Sequence, residues 1–220
     1  RHRGAELVTG SGNTRSFQCP YHAWTYRLDG SLVGAPHMEG SDRFDRERCA
    51  LPEIRSETWE GFLFVNFDAE ARPLADQVST LTNRFSAYRM SEFVALETAV
   101  YESPFNWKLL MDNFMEAYHH AATHRNTLQP TLPGERSWVP DNEGPYSILV
   151  MPGRDAPETR EKPDGSDPAM LLACVVYPFH LFAVSDHSTV WYQLFPRAYD
   201  DFTLKIFACL SDPDRPTVTR

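Results

Sequence analysis

No apolar run in this 220-residue chain approaches the length of a membrane-spanning helix, and no signal-peptide pattern opens it. Basic residues are in short supply. Lys and Arg number 21 against 30 Asp and Glu, so the formal net charge is −9, and no basic stripe is present. Nucleic acid and membrane are therefore not expected as partners. Cysteine is sparse too: Cys19, Cys49, Cys174 and Cys209 are scattered along the chain. That spacing is not a secreted disulfide framework and points to a reducing cytoplasm. There is no internal repeat, and no low-complexity tract outside 152–168. What is there is globular: 42% hydrophobic and 13% aromatic residues can build a core. The length allows one large or two small domains. The chain opens on Arg1 rather than Met and ends without a terminating element, so a piece of a longer polypeptide, cut at both ends, is expected.

The first 68 residues read as short strands and turns. Residues 26–33 carry a hairpin signal, with Asp29-Gly30 at a tight turn. Residues 61–67 form a strong apolar strand. Residues 74–90 have helical spacing, with Val78, Leu81 and Phe85 on one side, and 93–101 reads as a strand. Ser103-Pro104 opens a helix expected over 105–122, apolar nearly all the way round and hence buried. Its polar strip is Asp112, Asn113, Glu116, His119 and His120. Burying that strip is costly unless something satisfies it, and a metal ion would do so. Residues 152–168 read as an exposed, mobile loop. Three strand-like runs follow, at 171–184, 189–195 and 202–210.

Two groups of residues carry metal-ligand chemistry. The first is Cys19-Pro20-Tyr21-His22, with His2 upstream in Arg1-His2-Arg3-Gly4. By itself the Cys-x-x-His pair is equally a buried Cys beside a packed His, or a zinc pair. The second group is Glu116, His119, His120 and His124. On a straight helix Glu116, His120 and His124 share a face, because they are spaced four and four. His119 and His124 are five apart, a turn of roughly 140°. They meet one metal only if the helix ends or bulges between them.

Residues 1–24, from Arg1-His2-Arg3-Gly4 to Cys19-Pro20-Tyr21-His22-Ala23-Trp24, resemble the cluster-binding stretch of Rieske proteins. In that family two loops each give one Cys and one His to a [2Fe–2S] cluster. The resemblance implies His2, Cys19 and His22 as cluster ligands. The family's remaining Cys would stand two residues before His2, upstream of Arg1. Cys49 does not replace it and reads as a buried structural thiol. Asn106-Trp107-Lys108 and the stretch from Asp112-Asn113-Phe114 through Glu116-Ala117-Tyr118-His119 to His124 resemble the iron motif of Rieske non-haem iron oxygenases. That resemblance implies His119 and His124 as ligands of mononuclear Fe(II), with a helix broken between them. It implies Glu116 as the carboxylate linking an iron-ligating His to His22 of an adjacent subunit, and Asn113 and Tyr118 as supports of the iron pocket. His120 is then a satisfied or partly exposed neighbour of the site, with ligation of the iron as the alternative. The third iron ligand, an Asp in the family, is expected past Arg220. Asp186, Asp200, Asp201, Asp212 and Asp214 all read as turn residues. His37, His180 and His187 remain. His180 reads as a core histidine, with a place in a substrate cavity as the alternative. Trp59, Trp138, Trp191, Cys174 and Cys209 read as packing.

The fold class that follows is α+β: an all-β Rieske domain over 1–70, then a partial helix-grip catalytic domain with an antiparallel sheet over 71–220. The implied function is the terminal oxygenase (alpha) subunit, of the aromatic ring-hydroxylating dioxygenase type. Electrons from NAD(P)H would arrive through a reductase, and in some systems a ferredoxin. The cluster would pass them to the iron, which activates O₂ against a small organic substrate. A homotrimer or an alpha/beta oligomer is the expected assembly. Ring hydroxylation of an aromatic substrate is one reading. Glu rather than Asp at 116 looks more like the branch acting on choline, carnitine or betaine-type amines. Two other classes stay open: a Rieske ferredoxin-like electron carrier, and a ligand-binding protein whose metal sites have decayed.

Overall fold

The computed structural model describes residues 3–141, 143–156, 170–185 and 188–210. His2, most of the loop expected at 152–168, Asp186, His187, Asp212 and Asp214 lie outside the described residues. The chain divides into two compact units. One is Arg1–Ser56 with Val65–Glu70; the other is Glu57–Phe64 with Ala71–Arg220.

The first unit holds a three-stranded antiparallel sheet, β1 (Ser16–Gln18), β2 (Thr25–Arg27) and β3 (Leu32–Gly34), in that order. The β2–β3 turn is where the Asp29-Gly30 pair predicts it. The Asp29 carboxylate accepts the amide and hydroxyl of Ser31, and Gly30 takes φ +83°, a left-handed angle that favours glycine. Tyr26, Leu32 and Ala35 are buried together as a small core, with Cys49 and Leu51 packed against it. Cys49 is thus half-buried rather than fully enclosed.

β4 (Arg55–Trp59) and β5 (Phe62–Asn66) form a hairpin. Glu60 and Gly61 both have positive φ, 47° and 85°, which is the backbone a two-residue hairpin loop needs. Period-two alternation turns Phe62 and Phe64 inward and leaves Leu63 and Val65 exposed.

The second unit is built on a six-stranded antiparallel sheet in the order β6-β11-β10-β9-β8-β7. The strands are β6 (Val94–Ser103), β7 (Tyr146–Pro152), β8 (Met170–Val176), β9 (His180–Ser185), β10 (Ser188–Ala198) and β11 (Asp201–Leu210). One sequence expectation changes here, and one strand is new. The run at 171–184 is not one strand but β8 and β9, separated by a turn through Pro178, which has no amide hydrogen for a ladder. β7 carries no sequence signal of its own. Ile148, Leu149, Val150 and Met151 are all buried, because both faces of the sheet are covered, so no polar alternation marks the strand.

On one face Ile148, Val150, Leu172, Cys174, Phe182 and Val184 pack with Trp59, Val78, Leu81 and Phe85. The helical stretch expected at 74–90 is split into α1 (Leu74–Gln77) and α2 (Ser79–Phe85), followed by 3₁₀ turns. Val78 departs from helical angles at the junction, and Arg89 is left-handed at φ +52°. Val78, Leu81 and Phe85 are nonetheless fully buried on one side, as their spacing predicts. The Trp59 indole donates to the Thr82 hydroxyl at 2.8 Å, so its one polar atom is satisfied.

The opposite face receives α3 (Trp107–Phe114). Met111, Val175, Leu181, Leu194, Phe202 and Leu204 are buried there, with Leu110, Phe114 and Met115 beside them. α3 is shorter than the expected 105–122 and is not buried all round. Lys108, Leu109, Asp112 and Asn113 are exposed. Its cap is Asn106, whose side chain accepts the Lys108 amide at 3.0 Å, while Ser103 belongs to β6. Beyond Phe114 the chain takes a 3₁₀ turn at Tyr118–Ala121 and is strapped by 128–136. Gly134 sits so close to this turn that an added Cβ would lie 2.2 Å from the Ala117 carbonyl oxygen. The strap is anchored by Arg136, which donates to the carbonyls of Gly153, Arg154 and Ala156, and by Arg154, which donates to those of Pro130 and Gln129.

Two stability tests follow from this packing. His180 lies among Phe62, Phe64, Phe182 and Trp191, at ring-centroid distances of 4.5, 4.9, 5.5 and 6.1 Å. Its Nε2 is buried with no hydrogen-bond partner among the described residues. Burial pushes the imidazole from its ordinary 6.5 down to about 4. Between those values the unfolded chain binds more protons, so stability is full above about pH 6.5 and falls toward pH 4. Urea unfolding from pH 7 to 4.5 should show His180→Phe losing less stability on acidification than the parent, by at most about 1.4 kcal/mol per pH unit. The second test is Gly134→Ala, expected to cost about 1–3 kcal/mol through overpacking. Gly12→Ala, which meets nothing within 4 Å, should stay within about 0.5 kcal/mol of the parent.

Candidate metal centres

In the first unit the loop from Cys19 to Trp24 is closed by its own backbone. The Cys19 amide donates to the Trp24 carbonyl at 2.8 Å, and the Ala23 amide to the Cys19 carbonyl at 2.9 Å. Ala23 takes φ +58° to make the turn. Cys19 is half-buried and His22 exposed, with the Tyr21 ring 4.0 Å from that of His22. Both line a concavity with Arg3, Tyr21, Trp24 and Leu51. None of the four cysteines is in a disulfide. The loop therefore offers one sulfur and one imidazole at the mouth of a recess; His2 lies outside the described residues.

In the second unit α3 ends because Glu116 competes for the amides beyond it. Its carboxylate accepts the backbone N–H groups of Tyr118 and His119, which draws the chain out of the α-helix. The same carboxylate accepts from His119 Nδ1. The break thus falls before Tyr118, earlier than expected between His119 and His124. It brings three imidazoles together. Ring centroids are 5.1 Å apart for His119 and His124, 5.1 Å for His119 and His120, and 5.7 Å for His120 and His124.

Each of the three rings has its Nδ1 engaged. His119 faces the Glu116 carboxylate, and His120 faces the Leu132 carbonyl at 3.0 Å. These partners only accept, so the Nδ1 atoms carry the protons and the Nε2 lone pairs are left for another partner. His124 Nδ1 meets the Thr127 hydroxyl at 3.1 Å. An imidazole held by its far nitrogen against a carboxylate, carbonyl or hydroxyl is the arrangement metal-binding histidines use. Burial raises the Glu116 carboxyl, but the hydrogen bonds from the His119 ring and amide outweigh it and hold the group below its ordinary range. Burial first, then the nearby His119 and His120, push His124 down, which favours the neutral ring a metal needs.

The donor set accordingly fits imidazole ligation of an iron ion. Among the described residues no three His, Cys, Asp or Glu side chains are grouped to hold an ion. Asp201 is committed to Arg197, at 2.6 Å, and Asp200 is exposed in a turn. Asn113 is exposed on α3, and the Tyr118 side chain is 93% exposed, so Tyr118 meets Glu116 through its backbone amide alone. His37 is exposed in a turn with φ +64°. His180 lies with Phe182 on the sheet face opposite α3. Sequence reasoning missed Thr127, the Leu132 carbonyl and Gly134. Only Pro133-Gly134 carried a signal, as a turn pair.

Residues 1–53 match the family described as the Rieske [2Fe-2S] domain, and residues 90–218 match the ring hydroxylating alpha subunit catalytic domain. The chain is 38% identical over 126 residues to the carnitine monooxygenase oxygenase subunit of Acinetobacter baumannii, a match covering 56% of this chain and 34% of that protein. It is 36% identical over 134 residues to the glycine betaine monooxygenase oxygenase subunit of Pseudomonas aeruginosa, covering 60% and 31%. The chain thus matches about a third of the length of these relatives. A crystal structure of the quaternary ammonium Rieske monooxygenase CntA superposes with a TM-score of 0.81 at 26% identity, over 98% of this chain and 58% of that one. Naphthalene 1,2-dioxygenase from Rhodococcus shares the fold, with a TM-score of 0.74 at 21% identity, over 98% and 59%. No helix among the described residues is long and apolar enough to cross a membrane. With a Rieske domain followed by this catalytic domain, the chain belongs to the Rieske oxygenase alpha-subunit family.

Proposed function

We propose that this chain is part of a terminal oxygenase acting on a quaternary or related amine in the cytoplasm. Cys19 and His22, with His2, would hold part of a [2Fe–2S] cluster, and His119 and His124 would hold mononuclear Fe(II). When bound, the two centres supply electron storage and O₂ activation. The need for both is arithmetic: reducing O₂ takes more than one electron, and such a cluster stores one. A reductase, with or without a ferredoxin, would deliver electrons from NAD(P)H.

The observation that carries the reading is the state of Glu116. A carboxylate offers about four lone-pair positions. Three are taken inside the chain, by the His119 ring and by the amides of Tyr118 and His119. The side chain is still 41% exposed. It therefore holds the His119 tautomer and keeps one acceptor position toward the outside. A histidine such as His22 of an adjacent subunit fits that position and would shorten the electron's route between centres. A homotrimer or an alpha/beta oligomer provides such a neighbour.

Relatives named for carnitine and glycine betaine support the amine class. The aromatic-ring reading rests on the family description and on dioxygenases that share only the fold. Iron counting with electron paramagnetic resonance tests the site. In the full-length protein His119→Ala and His124→Ala should each lose the mononuclear iron and keep the cluster signal; retention of that iron in either variant would refute the ligand assignment. NAD(P)H oxidation with a reductase present should be stimulated by carnitine or glycine betaine and not by naphthalene.

A further inference from the structure

We propose that His120 is a positioning residue: its buried ring fastens the histidine turn to the 128–136 strap and spaces the rings of His119 and His124. The inference rests on reading those two histidines as the iron ligands.

His120 is 3% exposed, whereas the His119 side chain keeps 18%. Its Nδ1 lies 3.0 Å from the Leu132 carbonyl, an acceptor that requires an N–H opposite it. Leu132 is itself held, by a hydrogen bond of 2.7 Å from its backbone N–H to the Leu128 carbonyl and by packing on the Ala117, Leu149 and Met151 cluster. Gly134 closes the same seam: an added Cβ there would stand 3.4 Å from the His120 Cβ as well as against Ala117. The Gly134 amide donates to the Gln129 side chain at 3.1 Å, and the Gln129 amide to the His124 carbonyl at 3.0 Å. The strap therefore grips the turn at His120 and again at His124. Between these points the His120 ring stands edge-on to its neighbours, at 88° to His119 and 90° to His124. A ring standing beside and perpendicular to both limits how far either can swing. That is a packing role, and it agrees with the lack of a three-donor group among the described residues.

Replacing His120 by two amides separates this role from ligation. Asn places its nitrogen where Nδ1 stands, and Gln where Nε2 stands. Fe(II) or Co(II) affinity is measured on the purified protein by metal titration, with the unfolding midpoint of the metal-free protein alongside. His120→Asn should bind within about three-fold of the parent and keep the midpoint. His120→Gln and His120→Leu should bind about ten-fold to a hundred-fold more weakly, the range seen when a ligand's support is lost, with lower midpoints. If His120→Asn abolishes binding while His120→Gln retains it, His120 is a ligand and the proposal fails. If all three variants behave alike, the Leu132 bond is not what matters and the proposal also fails. Should His120→Gln not fold, the His120→Asn result alone decides. His119→Ala in the same titration tests the underlying reading separately: tight binding there refutes the ligand assignment, whatever His120 does.

Discussion

Glu116 accepts hydrogen bonds from the amides of Tyr118 and His119 and from the His119 ring, and the arrangement of the site follows from those bonds. A side chain that captures amides just past its own position removes them from the helical ladder. α3 therefore stops at Phe114. Had it continued straight, His119 and His124 would point roughly 140° apart. With the helix broken, their rings come within 5.1 Å of each other. The same carboxylate fixes which nitrogen of His119 carries the proton. One residue thus ends an element, orients a ring and keeps an accessible acceptor.

The six-stranded sheet supplies the rigidity that such a turn lacks. Its two faces carry separate cores, one under α2 and Trp59, the other under α3. Met111 and its neighbours pin α3 to the sheet, so the residues after Phe114 leave from a fixed point. The 128–136 strap then closes over the turn. Its grip consists largely of backbone carbonyls answering side-chain donors: Leu132 for His120, and Gln129, Pro130, Gly153, Arg154 and Ala156 for the two arginines. Such acceptors carry no side-chain signature and accommodate many sequences.

Linear patterns were informative wherever a local rule operates. Asp29-Gly30 foretold the β2–β3 turn because φ above zero is cheap only for glycine there. The spacing of Val78, Leu81 and Phe85 foretold one buried side, although the helix carrying them is interrupted at Val78. Patterns failed where burial erased them. β7 is apolar on both faces and has no period to detect. The stretch at 171–184 read as continuous because β8 and β9 are equally apolar on either side of Pro178. Apolar residues all round 105–122 imply a longer, fully buried helix, whereas α3 stops at Phe114 and Leu109 is 59% exposed.

The sequence by itself determined that a Rieske domain precedes an oxygenase catalytic domain, and which residues are candidates for holding metal, in two groups of different donor type. Those features depend on residue identity and short spacing, which a linear pattern records directly. The tertiary structure decided which imidazoles share a space, which nitrogen of His120 bears a proton, and that Leu132 and Gly134 stand around them. These outcomes depend on backbone acceptors and on close approaches between segments well apart in the chain, and neither leaves a mark in residue order.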